Sequence, residues 1–442
     1  MKSLLHPGRT VALVFLFAIL CGTALLSLPI AHASGETGPL LTAFFTAVSA
    51  VCVTGLVVVD TGTYWSTFGQ VVIMALFQLG GFGMMTLATL LGLLVNRSFR
   101  LRAKLIAQAE SHVLGLGDIS SVAKLVLVVT LVMELAVMLL LTLRLHLSYG
   151  LGWGEAAWSG LFHAVSAFNN AGFSIHVDGL VRYATDGFIL LPVMSAIIIG
   201  GIGFPRSQRP APQVVGPAAL VVAHQADAVG DGSAAGGRRH GSAAVRVVQS
   251  GYARSHGLGR QASFGSLRFG LGACGRFQAL DIGALTHESW ALHYFLMFIG
   301  GGSAGTAGGV KVGTVAILAL LVIAEIRGRA DTEAFGRRVG SSAQRQAITV
   351  LVLGSAMVVL GTLVILRDTD IPTDQVIFEV ISAFGTVGLS TGITADLPET
   401  SQLMLTLLMY VGRVGTITLA ASLALGEHRM PYRYPEEHPI VG

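Results

Sequence analysis

The 442-residue chain is 53% hydrophobic and only 12% charged, with 56 glycines, a mean hydropathy of +0.71 and a formal net charge of +4. Soluble globular chains carry about 25% charged residues, so roughly half the usual solubilising charge is missing, which excludes a wet-surfaced cytosolic enzyme and a disordered regulator. Cys21, Cys52 and Cys274 are too few and too scattered for a disulfide scaffold or a zinc site.

A helix needs about 20 apolar residues to cross a ~30 Å hydrocarbon core. In chain order such runs fall near residues 10–31, 67–95, 123–145, 187–204, 289–325, 347–366 and 402–425. The first follows Lys2 and Arg9, but it exceeds the roughly 7–15-residue apolar core of a signal peptide and reads as a retained span. Basic residues mark one side of the membrane. They precede the first run, follow the second (Arg97, Arg100, Arg102, Lys104), separate the fifth from the sixth (Arg327, Arg329, Arg337, Arg338, Arg345) and follow the last (Arg429, Arg433). The opposite connections carry acids: Glu36, Asp60, Asp178, Asp370 and Asp396. Both termini are therefore expected in the cytoplasm, which requires an even number of crossings. Seven are found, so one is missing.

The connections hide a repeat. Ala47-Val-Ser-Ala-Val-Cys-Val-Thr-Gly-Leu56, Ala164-Val-Ser-Ala-Phe-Asn-Asn-Ala-Gly-Phe173 and Val380-Ile-Ser-Ala-Phe-Gly-Thr-Val-Gly-Leu389 all read Ser-Ala, four residues, Gly, then Leu or Phe. Ser49, Ser166 and Ser382 are the shared serines; Gly55, Gly172 and Gly388 lie six residues on. A second glycine signature follows each: Gly80-Gly81-Phe-Gly83, Gly200-Gly201-Ile-Gly203 and Gly412-Arg413-Val-Gly415. Gly300-Gly301-Gly302 has the same look without a clear upstream partner. Single glycines in membrane helices usually serve close packing, but three copies of a two-part pattern at matched offsets point to a repeated unit of span, short re-entrant segment and span.

Irregular backbone at membrane depth is tolerated where it is buried in protein or lines a water-filled cavity. Loops turning at glycine around one axis can offer backbone carbonyls that replace the hydration shell of a monovalent cation. The residues before each glycine differ: Val53-Thr54, Asn170-Ala171 and Thr386-Val387. That variation suggests ligation by backbone with side chains turned away. Inward movement of a cation gains roughly 2.3 kcal/mol per charge per 100 mV of membrane potential, so uptake needs no nucleotide chemistry in this chain.

The run Thr42–Tyr64, with its Val-Ser-Ala-Val-Cys-Val-Thr-Gly-Leu core, resembles the first pore segment of the Trk/Ktr/HKT potassium-transporter superfamily, and of its Ktr-type membrane subunit above all. The resemblance covers about 1–204 and 281–430. It implies an all-α polytopic membrane protein, with four membrane-pore-membrane pseudo-repeats around a central pore. Its filter would draw on Val53, Thr54, Gly55, Asn170, Ala171, Gly172, Thr386, Val387 and Gly388, holding K+ through backbone carbonyls only. Phe298–Lys311 resembles the family's intramembrane gating loop, here Gly300, Gly301, Gly302, Ser303, Ala304, Gly305, Thr306, Ala307, Gly308 and Gly309. Each glycine inside a helix costs about 1 kcal/mol relative to alanine, so a break is expected there. Arg413 matches a family arginine that faces the pore; an arginine in an apolar span is costly and normally faces a polar interior. The resemblance further implies plasma-membrane location, a homodimer in contact with membrane lipid, a ring of cytosolic nucleotide-binding regulatory subunits, and transported K+ with Na+ possible. It implies no cofactor in this chain.

Gly300-x-Gly302-x-x-Gly305 formally matches a dinucleotide fingerprint, but it sits in an apolar span without a preceding strand. Neither an enzyme nor a nucleic-acid partner is expected. His163 has no partner His or Cys nearby in the sequence and reads as an interfacial or pore-helix residue, not a metal ligand. The alternatives are a non-conducting membrane scaffold or receptor for a cytosolic regulatory partner, and a broken-helix secondary transporter, against which the parallel repeats argue.

Residues 205–280 do not fit. They hold nine arginines, no lysine and two acids, Asp227 and Asp231, and Pro210, Pro212 and Pro217 interrupt the longest uncharged part. Gly275 stands near the expected third turn, but Phe269 lies six residues before it where Ser is expected. The length suits the missing helix and loop, whereas the Gly/Ala/Arg/Ser content resembles GC-rich DNA translated out of frame. The expected divisions are 1–103 as repeat 1, 104–204 as repeat 2, and 205–280 as an anomalous segment. The second helix of repeat 3 follows at 281–330, repeat 4 at 331–426 and a cytoplasmic tail at 427–442. For the chain as written, a pore lacking one quarter of its carbonyls is expected not to conduct selectively.

Overall fold

The computed structural model describes residues 7–83, 117–202, 282–301, 308–329, 331–334 and 337–425. Residues 205–280, the tail 427–442 and the basic group Arg97, Arg100, Arg102 and Lys104 lie outside the described residues. The described chain is helical almost throughout. α1 (Pro7–Leu26) ends sooner than the apolar run. Pro29 has no N–H to continue the helix, and Leu28 before it is extended. Next come α2 (Leu40–Val51) and α3 (Thr67–Gly83) of the first repeat. α4 (Gly117–Tyr149), α5 (Trp153–Phe168) and α6 (Gly187–Ile202) form the second.

α2 and α5, with 12 and 16 residues, reach only about 18 and 24 Å at 1.5 Å per residue. Each is followed and preceded by an apolar helix, as the repeat requires: α2 lies between α1 and α3, and α5 between α4 and α6. Along α4, Val126, Thr130, Glu134, Val137, Leu141 and Leu145 are buried, while Leu131, Leu135, Leu139, Leu143 and Leu147 stand exposed. This inward stripe at helical spacing, opposite an outer face of leucine, suits a helix with protein on one side and hydrocarbon on the other.

The fifth apolar run is broken. α7 (His287–Phe298) leads into β1 (Ile299–Gly300), which pairs in parallel with β2 (Val310–Lys311) before α8 (Val312–Ile326). The chain thus leaves helix at Ile299 and re-enters it at Val312, and a Cβ at Gly300 would lie inside the Gly308 carbonyl oxygen. A two-residue antiparallel ladder, β3 (Glu333–Ala334) with β4 (Arg337–Arg338), lies in the basic link; Arg338 pairs with Asp331 at 2.8 Å. α9 (Ser341–Asp368), α10 (Thr373–Phe384) and α11 (Glu399–Leu425) complete the fourth repeat. α10 has the same 12-residue length as α2, and both begin directly behind a proline, Pro39 and Pro372, pre-set at φ −59° and −53°.

The repeats pack in a sequence that joins the chain's two ends. α11 lies against α1, where the Tyr410 hydroxyl donates to the Ala12 carbonyl at 2.9 Å. Repeats 1 and 2 meet through the Trp158 indole, which donates to Gln70 Oε1 at 2.8 Å, and through Phe77, whose ring stacks with Phe173 and meets Phe162 edge-on. Repeats 3 and 4 meet where the Tyr294 hydroxyl donates to the Asp374 carbonyl at 2.8 Å and Phe298 stacks on Phe384.

Candidate functional site

α2, α5 and α10 end in the same hydrogen-bonded turn. The N–H groups of Val53, Asn170 and Thr386 donate three residues back, to the carbonyls of Ala50, Ala167 and Ala383 at 3.0, 3.0 and 3.1 Å. The next N–H groups, of Thr54, Ala171 and Val387, donate five residues back to Ser49, Ser166 and Ser382, each at 2.8 Å. This pair of bonds is the Schellman closure of a helix, and it needs a left-handed residue, normally glycine. Here Val53, Asn170 and Thr386 take that role, at φ 56°, 59° and 48°. Asparagine tolerates the conformation, whereas the left-handed region costs an L residue about 1–2 kcal/mol and is an outlier for β-branched Val53 and Thr386. Two residues on, Gly55, Gly172 and Gly388 are left-handed again, at φ 88°, 75° and 85°.

The serine of the repeated pattern holds this turn closed. Ser49 Oγ accepts the Gly55 N–H at 3.1 Å and donates to the Leu56 carbonyl at 2.7 Å. Ser166 Oγ donates to the Phe173 carbonyl at 2.8 Å, and Ser382 Oγ accepts the Gly388 N–H at 3.1 Å. With the N–H groups of Val53, Thr54 and Gly55 all turned toward α2, planar trans peptides send the carbonyls of Cys52, Val53 and Thr54 the opposite way. The same reasoning turns the carbonyls of Asn169 and Asn170 from α5, and those of Gly385, Thr386 and Val387 from α10.

These three turns come together. A Cβ at Gly55 would overlap the Ala171 carbonyl oxygen and lie 3.2 Å from Gly172 Cα. A Cβ at Gly388 would overlap the Thr54 carbonyl oxygen and lie 3.1 Å from the Gly55 carbonyl carbon. With each turn numbered by its repeat, turn 4 (Gly388) thus abuts turn 1 (Gly55), and turn 1 abuts turn 2 (Gly172). Backbone carbonyls gathered at such a junction can replace the hydration shell of a monovalent cation. Among the described residues no group of three or more His, Cys, Asp or Glu side chains could hold a metal ion.

The second glycine signature locks each turn to the helix that follows. Cβ atoms at Gly80, Gly200 and Gly412 would overlap the carbonyl oxygens of Val51, Phe168 and Phe384, the last residues of α2, α5 and α10. The loop after Phe298 meets turn 4: Gly308 lies against Thr386 Oγ1, and a Cβ at Gly309 would stand 3.3 Å from Gly385 Cα. The Gly301 carbonyl oxygen accepts the Val312 N–H at 3.4 Å. Gly302, Ser303, Ala304, Gly305, Thr306 and Ala307 lie outside the described residues. Arg413 is fully buried and donates through Nη2 to the Gly80 carbonyl at 3.4 Å.

Polar side chains that sequence reasoning did not assign to the site brace the turns. Three residues before Ser166, His163 contacts Ser174 Oγ through Nε2 at 2.9 Å, and its ring stacks on His176. Three residues before Ser382, buried Glu379 accepts from Ser390 Oγ, the Thr391 N–H at 3.0 Å and Thr394 Oγ1 at 3.0 Å. His163 and Glu379 thus each hold the residue two past the turn glycine. The equivalent positions in turn 1, Thr46 and Val57, cannot form that polar brace. His176, outside the spanning helices, is pushed down to about 4 by burial, with the Arg182 charge acting the same way.

A family model described as TrkH, cation transport protein, matches residues 14–209 and 217–428. The match resumes at 217, so the likeness runs through much of the segment whose composition reads as foreign. The Ktr system potassium uptake protein B of Bacillus subtilis is 33% identical over 99% of this chain and 97% of its own length. The potassium/sodium uptake protein NtpJ of Enterococcus hirae is 31% identical over 100% and 98%. The crystal structure of the potassium transporter TrkH from Vibrio parahaemolyticus shares the fold, with a TM-score of 0.66 at 19% identity over 94% of this chain and 84% of that one. Repeated helix-turn-helix units, converging turns and matches along nearly the whole length lead to one assignment: the chain belongs to the TrkH family of cation transport proteins.

Proposed function

We propose that the chain is the membrane subunit of a potassium-uptake system. K+ passes between the carbonyls of Val53 and Thr54, Asn170 and Ala171, and Thr386 and Val387, at the turns of Gly55, Gly172 and Gly388. The observation that carries this reading is the contact of Gly55 with Ala171 and Gly172 on one side and of Gly388 with Thr54 on the other. The membrane potential supplies the driving force, and a relative named for potassium and sodium supports Na+ as a second transported or required ion. Gly300 to Gly309 gate the path and Arg413 faces it. The word system in the relatives' names supports a regulatory partner. The resemblance adds the rest of the proposal: a homodimer in the plasma membrane, both termini cytoplasmic, carrying a ring of nucleotide-binding subunits, with leucine-rich outer faces against lipid. Residues 205–280 take the place of the first helix and turn of repeat 3.

The test is potassium-limited growth of a transporter-deficient cell. It uses the chain as written and a version with residues 205–280 restored to the reading frame of the repeat. Gly55→Ala or Gly388→Ala in the conducting form is expected to abolish selective uptake, since the new Cβ meets a carbonyl of the neighbouring turn. Undiminished growth with both substitutions would favour a non-conducting scaffold instead.

A further inference from the structure

Glu134 is an ionisable side chain in the middle of an apolar helix, 6% exposed, and the conduction path described above does not use it. A carboxylate at membrane depth is costly and marks a functional contact whose partners can be named. Its described partners are two amides. Glu134 Oε1 accepts from Asn169 Nδ2 at 3.2 Å, and Oε2 faces Gln78 Nε2 at 3.5 Å. Gln78 Oε1 in turn accepts from Asn169 Nδ2, which also reaches the Val165 carbonyl at 2.9 Å.

These three residues come from three elements and two repeats. Gln78 belongs to α3, Glu134 to α4, and Asn169 caps the C-terminus of α5. Asn169 immediately precedes left-handed Asn170 and then Ala171, whose carbonyl meets Gly55 across the junction. Gly81 supplies the room, since a Cβ there would overlap Asn169 Oδ1. In the other two turns the same capping position holds Cys52 and Gly385, which have no amide to grip. Turns 1 and 4 are set by packing around strained β-branched residues, whereas turn 2 has a strain-tolerant asparagine and a polar strut behind it.

We infer that Glu134, with Gln78, is a positioning residue for turn 2: it fixes Asn169 from behind and so sets how closely the Asn170 and Ala171 carbonyls fit potassium in preference to sodium. This inference rests on the potassium reading proposed above. Selectivity in a carbonyl cage follows from the spacing and field of its oxygens, so a strut that moves two of them changes the preference between ions before it changes the fold.

The experiment measures thermal stabilisation by KCl and by NaCl of the purified full-length chain in its frame-restored, conducting form, taking the ratio of half-stabilising concentrations as the preference. The unsubstituted chain is expected to be protected at lower potassium than sodium. Glu134→Leu is expected to cut that preference roughly tenfold, the scale of one lost buried hydrogen-bond partner. Glu134→Gln, which keeps an oxygen for Asn169, is expected to stay within about twofold of the unsubstituted chain. An undiminished preference in Glu134→Leu overturns the inference. So does an equal loss in Glu134→Gln, because charge and not geometry would then be responsible. If Glu134→Leu does not fold, Gln78→Leu decides in the same terms. An unsubstituted chain with no preference overturns the potassium reading itself, and this inference with it.

Discussion

Ser49 shows how much of the turn depends on a single hydroxyl. Its oxygen accepts one buried backbone N–H and its proton satisfies one buried carbonyl. Ser49→Ala strands both the Gly55 N–H and the Leu56 carbonyl, and each unsatisfied buried group costs about 1–3 kcal/mol. The expected outcome is a lowered melting temperature together with a weakened preference for potassium over sodium, measured on the same preparation. A destabilised protein with an unchanged ion preference would show that Ser49 serves the fold alone. The serine was visible in the sequence as the fixed first member of a spacing, but its task was not. The spacing of six to glycine and seven to Leu or Phe makes sense only once the helix end is seen to double back over the serine. The residues that carry the left-handed strain were hidden for the opposite reason. Val53, Asn170 and Thr386 share a backbone conformation and no side-chain chemistry, so no residue-type pattern marks them.

At the scale of helices, the two-part glycine pattern describes one contact: the end of a short helix seated on the next long one. Gly412 and Gly415 lie on the same face region of α11 less than one turn apart, yet their surroundings differ. A Cβ at Gly412 would overlap the Phe384 carbonyl oxygen, whereas a Cβ at Gly415 would meet Val411 Cγ1 at 3.6 Å, an ordinary contact. Gly412→Ala must therefore push α11 off α10 and is expected to destabilise the protein by about 2 kcal/mol or more. Gly415→Ala gains the helix propensity of alanine, about 0.5–1 kcal/mol, and is expected to be neutral or mildly stabilising. Denaturant or thermal unfolding of the two variants side by side measures the difference, and equal effects would refute the seating contact. The short helices were legible because 12 to 16 residues between two apolar runs leave no other course for the chain. The break after Phe298 was legible from its glycines. The early stop of α1 at Leu26 was not, because the apolar run continues through a proline that ends the helix. Nor were the Glu134 and Glu379 contacts, which join residues that only the tertiary packing brings together.

The whole molecule poses the question of the fourth quarter. α1 closes against α11, turn 4 meets turn 1, and turn 1 meets turn 2. α7 is docked on α10, and Gly308 lies against Thr386. The segment expected to furnish a third-repeat turn, 205–280, carries nine arginines and no Ser-Ala-x4-Gly-Leu/Phe pattern. Paired frame changes near Phe204 and shortly before Asp281 would account for both the length and the composition. The coding DNA decides this: in a neighbouring frame, the stretch is expected to encode an apolar helix followed by a glycine turn of the same pattern. Restoring that frame is expected to raise selective potassium uptake at least about tenfold over the chain as written, because a cage with three of four sides leaves the ion partly hydrated and admits sodium. Neighbouring frames that encode neither element, or equal selective uptake by the two versions, would instead make 205–280 a genuine part of the transporter. In that case the even number of crossings required by two cytoplasmic termini would have to be abandoned.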